Sequence, residues 1–179
     1  MKKMHTAYLL TGSNLGRREL MLSEALRLIR KKVGRIEKRS LVYETEPWGF
    51  EDHRPFLNQA LKVQTHLTPG KLLSAVLQIE LVLGRIRQPD QYISRVIDID
   101  ILFYDAIIMA EKHLTIPHPL LHQRRFVLQP LAEIVPTMLH PVFNVPVMEL
   151  LHSCPDHCAV APYEVEATYG LTPKSRNEQ

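Results

Sequence analysis

The chain has 179 residues, which is enough for one domain with a substantial hydrophobic core, and its composition is that of an ordinary globular protein. A formal net charge of +3 and a pI near 8.9 allow an anionic small ligand without requiring nucleic acid. The apolar segments are too short to span a membrane and no apolar run typical of a signal peptide opens the chain, so we expect a cytoplasmic protein.

The amino-terminal third of the chain predicts three strands and one helix. A strand over residues 6–11 ends in a Gly-Ser-Asn-Leu-Gly turn, and a helix over residues 19–33 follows with its apolar residues on one stripe. Strands over residues 36–45 and 59–65 flank residues 46–55, whose proline and glycine content indicates an irregular loop.

The middle of the chain predicts a second helix and a further strand. The helix covers residues 68–83, opens on Thr-Pro and ends at Gly84. An apolar strand over residues 95–103 follows a loop. A hairpin near residues 104–106 then leads to residues 107–109.

The last predicted helix begins at residue 120 or 124 and runs to Pro130, where we expect a break before residues 131–134. The order β-α-β-β-α-β predicts an α+β fold: a ferredoxin-like α/β sandwich in which helices pack on the faces of a mainly antiparallel sheet. We assign residues 1–158 to this domain and residues 159–179 to an irregular carboxyl-terminal tail.

Asp98 and Asp100 interrupt the apolar strand. Alternation places both on one face, with their Cα atoms about 6.6 Å apart at ~3.3 Å of rise per residue. An acidic pair on a strand is often only a solvated face. In a strand that is apolar on both faces, however, ionised carboxylates need a cation or hydrogen-bonded partners. Metal binding and a solvated face both remain open on this evidence.

Arg85, Arg87 and Arg95 flank the loop that leads into Asp98. Arginines near the end of a helix are favoured by the helix dipole, which explains the first two without any function. Arginines beside paired carboxylates also suit phosphoryl transfer, because fixed cations stabilise the negative charge that develops on phosphate.

Two further segments carry candidate binding groups, each with a structural alternative. Backbone amides of the Gly-Ser-Asn-Leu-Gly turn could bind phosphate, although a tight structural turn explains the same residues. Trp48, Phe56 and Asn58 suit a flat heteroaromatic ring with a polar edge. The alternative is a core position for Phe56 and a loop cap for Asn58.

Histidines and cysteines alternate near the end of the chain, at His152, Cys154, His157 and Cys158. These are metal-ligating residue types, but their spacing fits no common zinc module. We therefore expect surface thiols or adventitious metal capture here rather than a physiological metal site.

Taken together, the motifs resemble the 6-hydroxymethyl-7,8-dihydropterin pyrophosphokinase family over about residues 7–151. They are G-S-N-L-G from Gly12, Y-x-T-x-P-x-G from Tyr43, F-L-N from Phe56, L-G-R-I-R from Leu83, R-x-x-D-I-D-I-L from Arg95, and P-H from Pro117 with R-x-F-x-L-x-P-L from Arg124.

The resemblance implies transfer of pyrophosphate from ATP to the hydroxymethyl pterin, with AMP as the leaving group, in folate biosynthesis. ATP would be the co-substrate, and two Mg²⁺ ions would be held by Asp98 and Asp100. The implied catalytic residues are Arg85, Arg95, Asp98 and Asp100.

The resemblance also implies two binding sets. The nucleotide site would be lined by Gln78, Glu80, Arg87, Tyr92, Arg95, Ile101, Thr115, His118 and Arg124. The pterin site would be lined by Thr45, Pro47, Trp48, Phe56, Asn58 and Phe126. We expect small-molecule substrates, a monomer, and neither nucleic-acid nor membrane partners.

Two other classes share parts of this pattern. A nucleotidyltransferase combines a Gly-Ser turn with Asp-x-Asp, but there the two motifs usually lie close in sequence, whereas here a helix and two strands intervene. A ferredoxin-like nucleic-acid-binding module needs exposed aromatic residues on its sheet, where this chain places carboxylates that would repel phosphates.

Overall fold

The structure is a computed structural model that describes residues 3–47, 54–85, 94–166 and 169–171. Its elements are β1 (His5–Ser13), α1 (Arg18–Lys32), β2 (Gly34–Arg39), β3 (Tyr43–Thr45), β4 (Phe56–Thr65), α2 (Pro69–Val82), β5 (Asp98–Tyr104), β6 (Met109–Glu111), β7 (Leu114–Ile116), a 3-10 helix (Leu121–Gln123), α3 (Arg125–Ile134), α4 (Val147–His152) and β8 (Val160–Pro162). Within those ranges, none of the helices has both the length and the apolar character needed to cross a bilayer.

The main sheet has six strands in the order β5-β1-β4-β3-β8, and β2 pairs with β4 as well. All of its pairings are antiparallel. The two central strands, β1 and β4, pair over their whole length from His5 opposite Thr65 to Ser13 opposite Leu57. This topology confirms the predicted ferredoxin-like sandwich.

Helices cover both faces of the sheet because the strands carry apolar side chains on both sides. On one face, Leu9, Leu61 and Ile101 pack with residues of α1 and α2 such as Leu26 and Leu72. The opposite face packs against α3 and α4 through a second cluster. Its sheet members are Tyr8, Leu10, Ala60, Leu102 and Phe103, and its helical members include Val127, Leu128, Leu131 and Leu151. Each fully buried large side chain stabilises the fold by about 1.5–3 kcal/mol.

The strand predicted over residues 36–45 is divided into β2 and β3, which is a correction. Side chains take over part of the ladder at the break: the Ser40 amide still donates to the Ala60 carbonyl at 3.0 Å, but the Ser40 hydroxyl accepts from the Ala60 amide at 3.0 Å, and Gln59 Nε2 donates to the Ser40 carbonyl at 2.7 Å. The Leu41 amide donates to the Glu133 carboxylate of α3. Such bonds cannot be read from an alternating apolar pattern.

Two predictions for the second half of the chain are wrong. The strand after the turn at Asp105 does not pair back onto β5; instead β6 pairs with β7 in a separate two-stranded sheet. The helix predicted to break at Pro130 continues through it to Ile134. Leu128, Pro130 and Leu131 are buried against the sheet, and this packing outweighs the hydrogen bond that proline cannot make.

The carboxyl-terminal segment differs from an irregular tail. Strand β8 pairs with β3, with Thr45 opposite Val160, and so extends the sheet at its edge. Farther on, Leu171 is fully buried in the cluster beneath α1 and α2, where its carbonyl accepts a hydrogen bond from Gln59 at 2.8 Å. The domain boundary at residue 158 stays a prediction.

Gly34 begins β2 at a point where the neighbouring strand comes unusually close. A Cβ atom there would lie 1.9 Å from the backbone carbonyl oxygen of Gln64. We therefore expect Gly34→Ala to lower the free energy of unfolding by about 2 kcal/mol, measured by urea denaturation, because one strand must move. Gly70→Ala is the control, since nothing lies within 4 Å of a Cβ atom at Gly70. Equal loss in both variants would contradict the explanation.

Candidate active site

A cleft opens on the sheet face that carries α3, where β1 ends and β4 and β5 begin. Its walls come from four strands (β1, β3, β4 and β5), the start of α3 and the segment before β5. The lining residues are Leu10, Gly12, Thr45, Glu46, Phe56, Asn58, Arg95, Asp98, Asp100, Arg124 and Phe126.

Asp98 and Asp100 form the floor of the cleft. In the register of β5 with β1, Asp98 lies opposite Gly12 and Asp100 opposite Leu10, so both carboxylates share the face of Leu10. Ile99 and Ile101 face the other way, into the core beneath α1 and α2. The alternation predicted from the sequence is confirmed, and both carboxylates are only partly exposed, at the floor of a cleft rather than on an open solvated face.

Two arginines hold the first carboxylate. Arg85 forms an ion pair with one oxygen of Asp98, and Arg95 pairs with the other. Burial raises the pKa of Asp98, but the charges of Arg85 and Arg95 outweigh it, so the net pKa lies below the usual value. Asp98 is therefore ionised throughout the physiological pH range.

The second carboxylate lies in a less favourable environment. Burial, and then the negative charge of Asp98, raise the pKa of Asp100 from 3.8 to about 7. Arg124 and Arg85 act in the opposite direction but do not compensate. Positive charge brought close to Asp100 would lower its pKa and favour ionisation of both carboxylates near pH 7.

Glu80 links the end of α2 to this arrangement. Its side chain is almost fully buried, and Oε1 accepts a hydrogen bond from the Ile99 amide at 2.8 Å. The same oxygen pairs with Arg85. Glu80 therefore supports the acidic strand and orients Arg85, while its predicted contact with nucleotide remains a prediction.

The Gly-Ser-Asn turn ties β1 to the segment that carries Arg95. Ser13 Oγ donates to the Val96 carbonyl at 2.7 Å. Asn14 makes two hydrogen bonds with Arg95: Asn14 Oδ1 accepts from the Arg95 backbone amide at 2.7 Å, and the Asn14 backbone amide donates to the Arg95 carbonyl at 3.2 Å. These contacts favour the structural interpretation of the turn over a phosphate-binding one.

The predicted pterin residues come together on the opposite side of the cleft. Asn58 Nδ2 donates to Thr45 Oγ1 at 2.8 Å, and both side chains are buried. Phe56 begins β4 on the same face, and Phe126 lies in the first turn of α3 with the Arg124 guanidinium 5.7 Å from its ring centre. Pro47 is half-buried, and Trp48 lies outside the described residues.

The predicted nucleotide residues are less uniform. His118 lies near the charges of the cleft: burial and then Arg124 lower its pKa from 6.5 to about 4, so it is neutral at pH 7. Thr115 is exposed on β7. Arg87 and Tyr92 fall outside the described residues.

Two of the predicted nucleotide-binding residues, Gln78 and Ile101, point away from the cleft. Gln78 is exposed on α2 and accepts a hydrogen bond from Lys32 of α1 at 3.0 Å, across the sheet from the carboxylates. The Ile101 side chain belongs to the core on that same side. These positions do not support the side-chain contacts with nucleotide that the resemblance implied.

The cysteines near the end of the chain are both free thiols, Cys154 buried and Cys158 partly so. Among the described residues, no group of three or more His, Cys, Asp or Glu side chains is arranged to hold a metal. Because Cys154 is buried, it is not the surface thiol that the sequence suggested, and the absence of a physiological metal site in this cluster stays a prediction.

Leu10, Gly12 and Glu46 line the cleft but were not among the predicted side chains. Gly12 could have been predicted from the sequence, because it is the first residue of the Gly-Ser-Asn-Leu-Gly motif. A Cβ atom at this position would lie 2.8 Å from Asn58 Oδ1, so only glycine leaves room for the amide. The other two residues lack a distinctive local pattern.

A ferredoxin-like sandwich whose cleft combines paired carboxylates, arginines and aromatic rings has the features of a phosphoryl-transfer enzyme. A family model described as "7,8-dihydro-6-hydroxymethylpterin-pyrophosphokinase (HPPK)" matches residues 8–136. The chain belongs to this family, and it is an ATP-dependent diphosphotransferase of folate biosynthesis. The assignment decides between the three classes that the sequence left open.

Curated relatives support the assignment. A "2-amino-4-hydroxy-6-hydroxymethyldihydropteridine pyrophosphokinase" of Aquifex aeolicus is 40% identical over 146 residues, covering 82% of this chain and 90% of that protein. The protein of the same name from Porphyromonas gingivalis is 42% identical over 146 residues, covering 80% of this chain and 99% of its own length.

Solved structures share the fold. A Plasmodium falciparum structure described as wild-type "HPPK-DHPS" with SDX-DHP matches 86% of this chain with a TM-score of 0.71 and 20% identity. This chain spans only 45% of that longer protein. At this identity the likeness supports the ferredoxin-like architecture alone.

Glu80 provides a test of how the floor is supported. Glu80→Ala would leave the buried Ile99 amide without its acceptor and Arg85 without one of its two carboxylates. We expect a loss of about 3 kcal/mol in the free energy of unfolding, measured by urea denaturation. The control is Glu24→Ala, which removes a partly exposed ion pair with Arg27 and should cost less than about 1 kcal/mol. Similar losses in the two variants would refute the assigned role.

Proposed function

We propose that the cleft binds the pterin between Phe56 and Phe126 and aligns its hydroxymethyl group with the triphosphate of ATP above Asp98 and Asp100. The observation that carries this proposal is the arrangement of two buried carboxylates and two arginines at one end of a cleft whose other end is aromatic. Both substrates are small molecules. We expect a monomer that acts in the cytoplasm.

The aromatic end suits a flat heterocycle. Phe56 and Phe126 come from different elements, β4 and α3, so that a ring between them would be stacked from two sides. Asn58 can read the polar edge of the ring, because its bond to Thr45 fixes the orientation of its amide. Because Asn58 and Thr45 are both buried, few other side-chain conformations of Asn58 compete with the one that would bind the ring.

The acidic end suits Mg²⁺. Asp98 and Asp100 offer only carboxylate oxygens, and a cation beside Asp100 would offset the burial and the charge of Asp98 that raise its pKa. Mg²⁺ is commonly bound by one or two carboxylates together with substrate phosphates, so two side chains suffice. When bound, the ions would neutralise phosphate charge and polarise the reacting phosphorus.

Arg85 and Arg95 would move from Asp98 to the nucleotide. A guanidinium pairs with phosphate in the same forked geometry as with carboxylate, so incoming triphosphate can replace Asp98 as its partner. The exchange would free Asp98 for the cation and place positive charge where the leaving AMP develops negative charge. In this way the same two arginines would stabilise Asp98 before the nucleotide binds and the phosphates during transfer.

The reaction requires positioning more than covalent chemistry. The hydroxymethyl oxygen of the pterin attacks the β-phosphorus, and the bond to the α-phosphate oxygen breaks as AMP departs. The family reaction requires no covalent intermediate, so the side chains contribute alignment and electrostatic stabilisation. His118 is neutral at pH 7 and can offer a hydrogen bond without adding charge.

Asp100→Asn tests the acidic end while keeping the size of the side chain. We expect AMP formation to fall at least 100-fold, because the amide cannot supply the charge that a hard cation requires. Calorimetry with a non-hydrolysable ATP analogue should show that Mg²⁺ no longer strengthens binding. Asp105→Asn, just beyond the same strand, is the control and should keep nearly full activity. Near wild-type turnover in Asp100→Asn would sink the metal assignment.

Phe126→Ala tests the aromatic end. We expect the KM for the pterin to rise about tenfold, equivalent to about 1.4 kcal/mol, while the KM for ATP changes less than twofold. Steady-state kinetics with each substrate varied in turn provides the measurement. Phe143→Ala removes an exposed phenylalanine of the loop before α4 and should change neither constant. A larger effect on ATP than on the pterin would contradict the assignment.

A further inference from the structure

The start of α3 lacks a cap from its own sequence. Arg124 occupies the N-cap position, and its side chain makes no capping hydrogen bond. The amide groups of a first helical turn have no partners within the helix and normally need an acceptor supplied from elsewhere. This is the turn that carries Phe126, next to Arg124, and both side chains line the cleft.

Asp156 supplies the missing acceptor from 31 residues farther along the chain. Its Oδ2 accepts a hydrogen bond from the Arg125 amide at 2.9 Å. Its Oδ1 accepts from the Cys158 amide at 3.0 Å, which fixes the carboxylate in that orientation. A negative charge at the N-terminus of a helix is also favoured by the helix dipole. Burial raises the pKa of Asp156, but these bonds outweigh it and the net pKa lies below the usual value.

The residues after Asp156 reach the other wall of the cleft. Strand β8 pairs with β3 and places Val160 opposite Thr45, whose hydroxyl accepts from Asn58. Residues 156–162 therefore connect the wall formed by α3 with the wall formed by β3 and β4. The family model matches only residues 8–136, so this connection lies beyond the matched part of the chain.

We propose that Asp156 is a positioning residue for the pterin site: by capping α3 it fixes the first turn, and with it the distance of Phe126 from the Asn58 wall. The inference rests on the proposed function, since it assumes that this cleft binds the pterin. Asp156 does not itself line the cleft, so its effect on catalysis is transmitted through the helix.

The test compares Asp156→Ala with Asp156→Asn. We expect Asp156→Ala to raise the KM for the pterin about fivefold, equivalent to about 1 kcal/mol and similar to the loss of a helix cap, with kcat changed less than twofold. Asp156→Asn keeps an oxygen that can accept from the Arg125 amide and should restore the KM to within twofold of wild type. Hydrogen exchange should be faster in residues 125–128 of the alanine variant.

A matched control separates positioning from general destabilisation. Asp105 is similarly half-buried and accepts a hydrogen bond from the Thr6 amide at 2.8 Å, but it lies beyond the far end of β5. Asp105→Ala should lower the Tm without changing the KM for the pterin, and all assays are run well below the lower Tm. If Asp156→Ala is active with an unchanged KM, the positioning role is overturned and the proposed function stands. Absence of pterin turnover by wild type would overturn both.

Discussion

The cost of burying two carboxylates side by side organises this protein. Asp98 and Asp100 lie two residues apart on one face of β5, and burial, followed by the negative charge of Asp98, raises the pKa of Asp100. The surrounding structure supplies compensation for one of them, through Arg85 and Arg95. The cations and substrate that the site is proposed to receive would compensate the charge of the second.

The side chains that hold the cleft residues in place do so through ordinary hydrogen bonds and ion pairs. Glu80 bonds both the backbone of the acidic strand and Arg85, so α2 fixes the strand and the arginine together. Asn14 ties the end of β1 to Arg95. Helices α1 and α2 cover one face of the sheet, while α3 on the other face leaves one end of the sheet open, where the cleft lies.

Elements that depend on residues close together in the sequence were predicted accurately, and elements that depend on residues far apart in the sequence were not. Helices α1 and α2 followed from periodicity and end signals within one residue, because those signals are local. The break between β2 and β3 depends on Gln59 and Glu133, which are distant in sequence. Pro130 stayed inside α3 because burial against the sheet outweighed a local rule. Likewise, local sequence does not decide that β6 pairs with β7 rather than with β5, because that choice depends on where the strands lie in the fold.

For the site, the sequence alone determined the chemistry, and the tertiary structure decided the geometry. Alternation in β5 placed both carboxylates on one face, and the ordered motifs identified the family. Only the fold showed that Gln78 and the Ile101 side chain face away from the cleft, that Gly12 makes room for Asn58, and that Asp156 caps the helix of Phe126. The physical reason is that residue type and periodicity are local properties, whereas burial, charge compensation and capping depend on segments that meet only when the chain is folded.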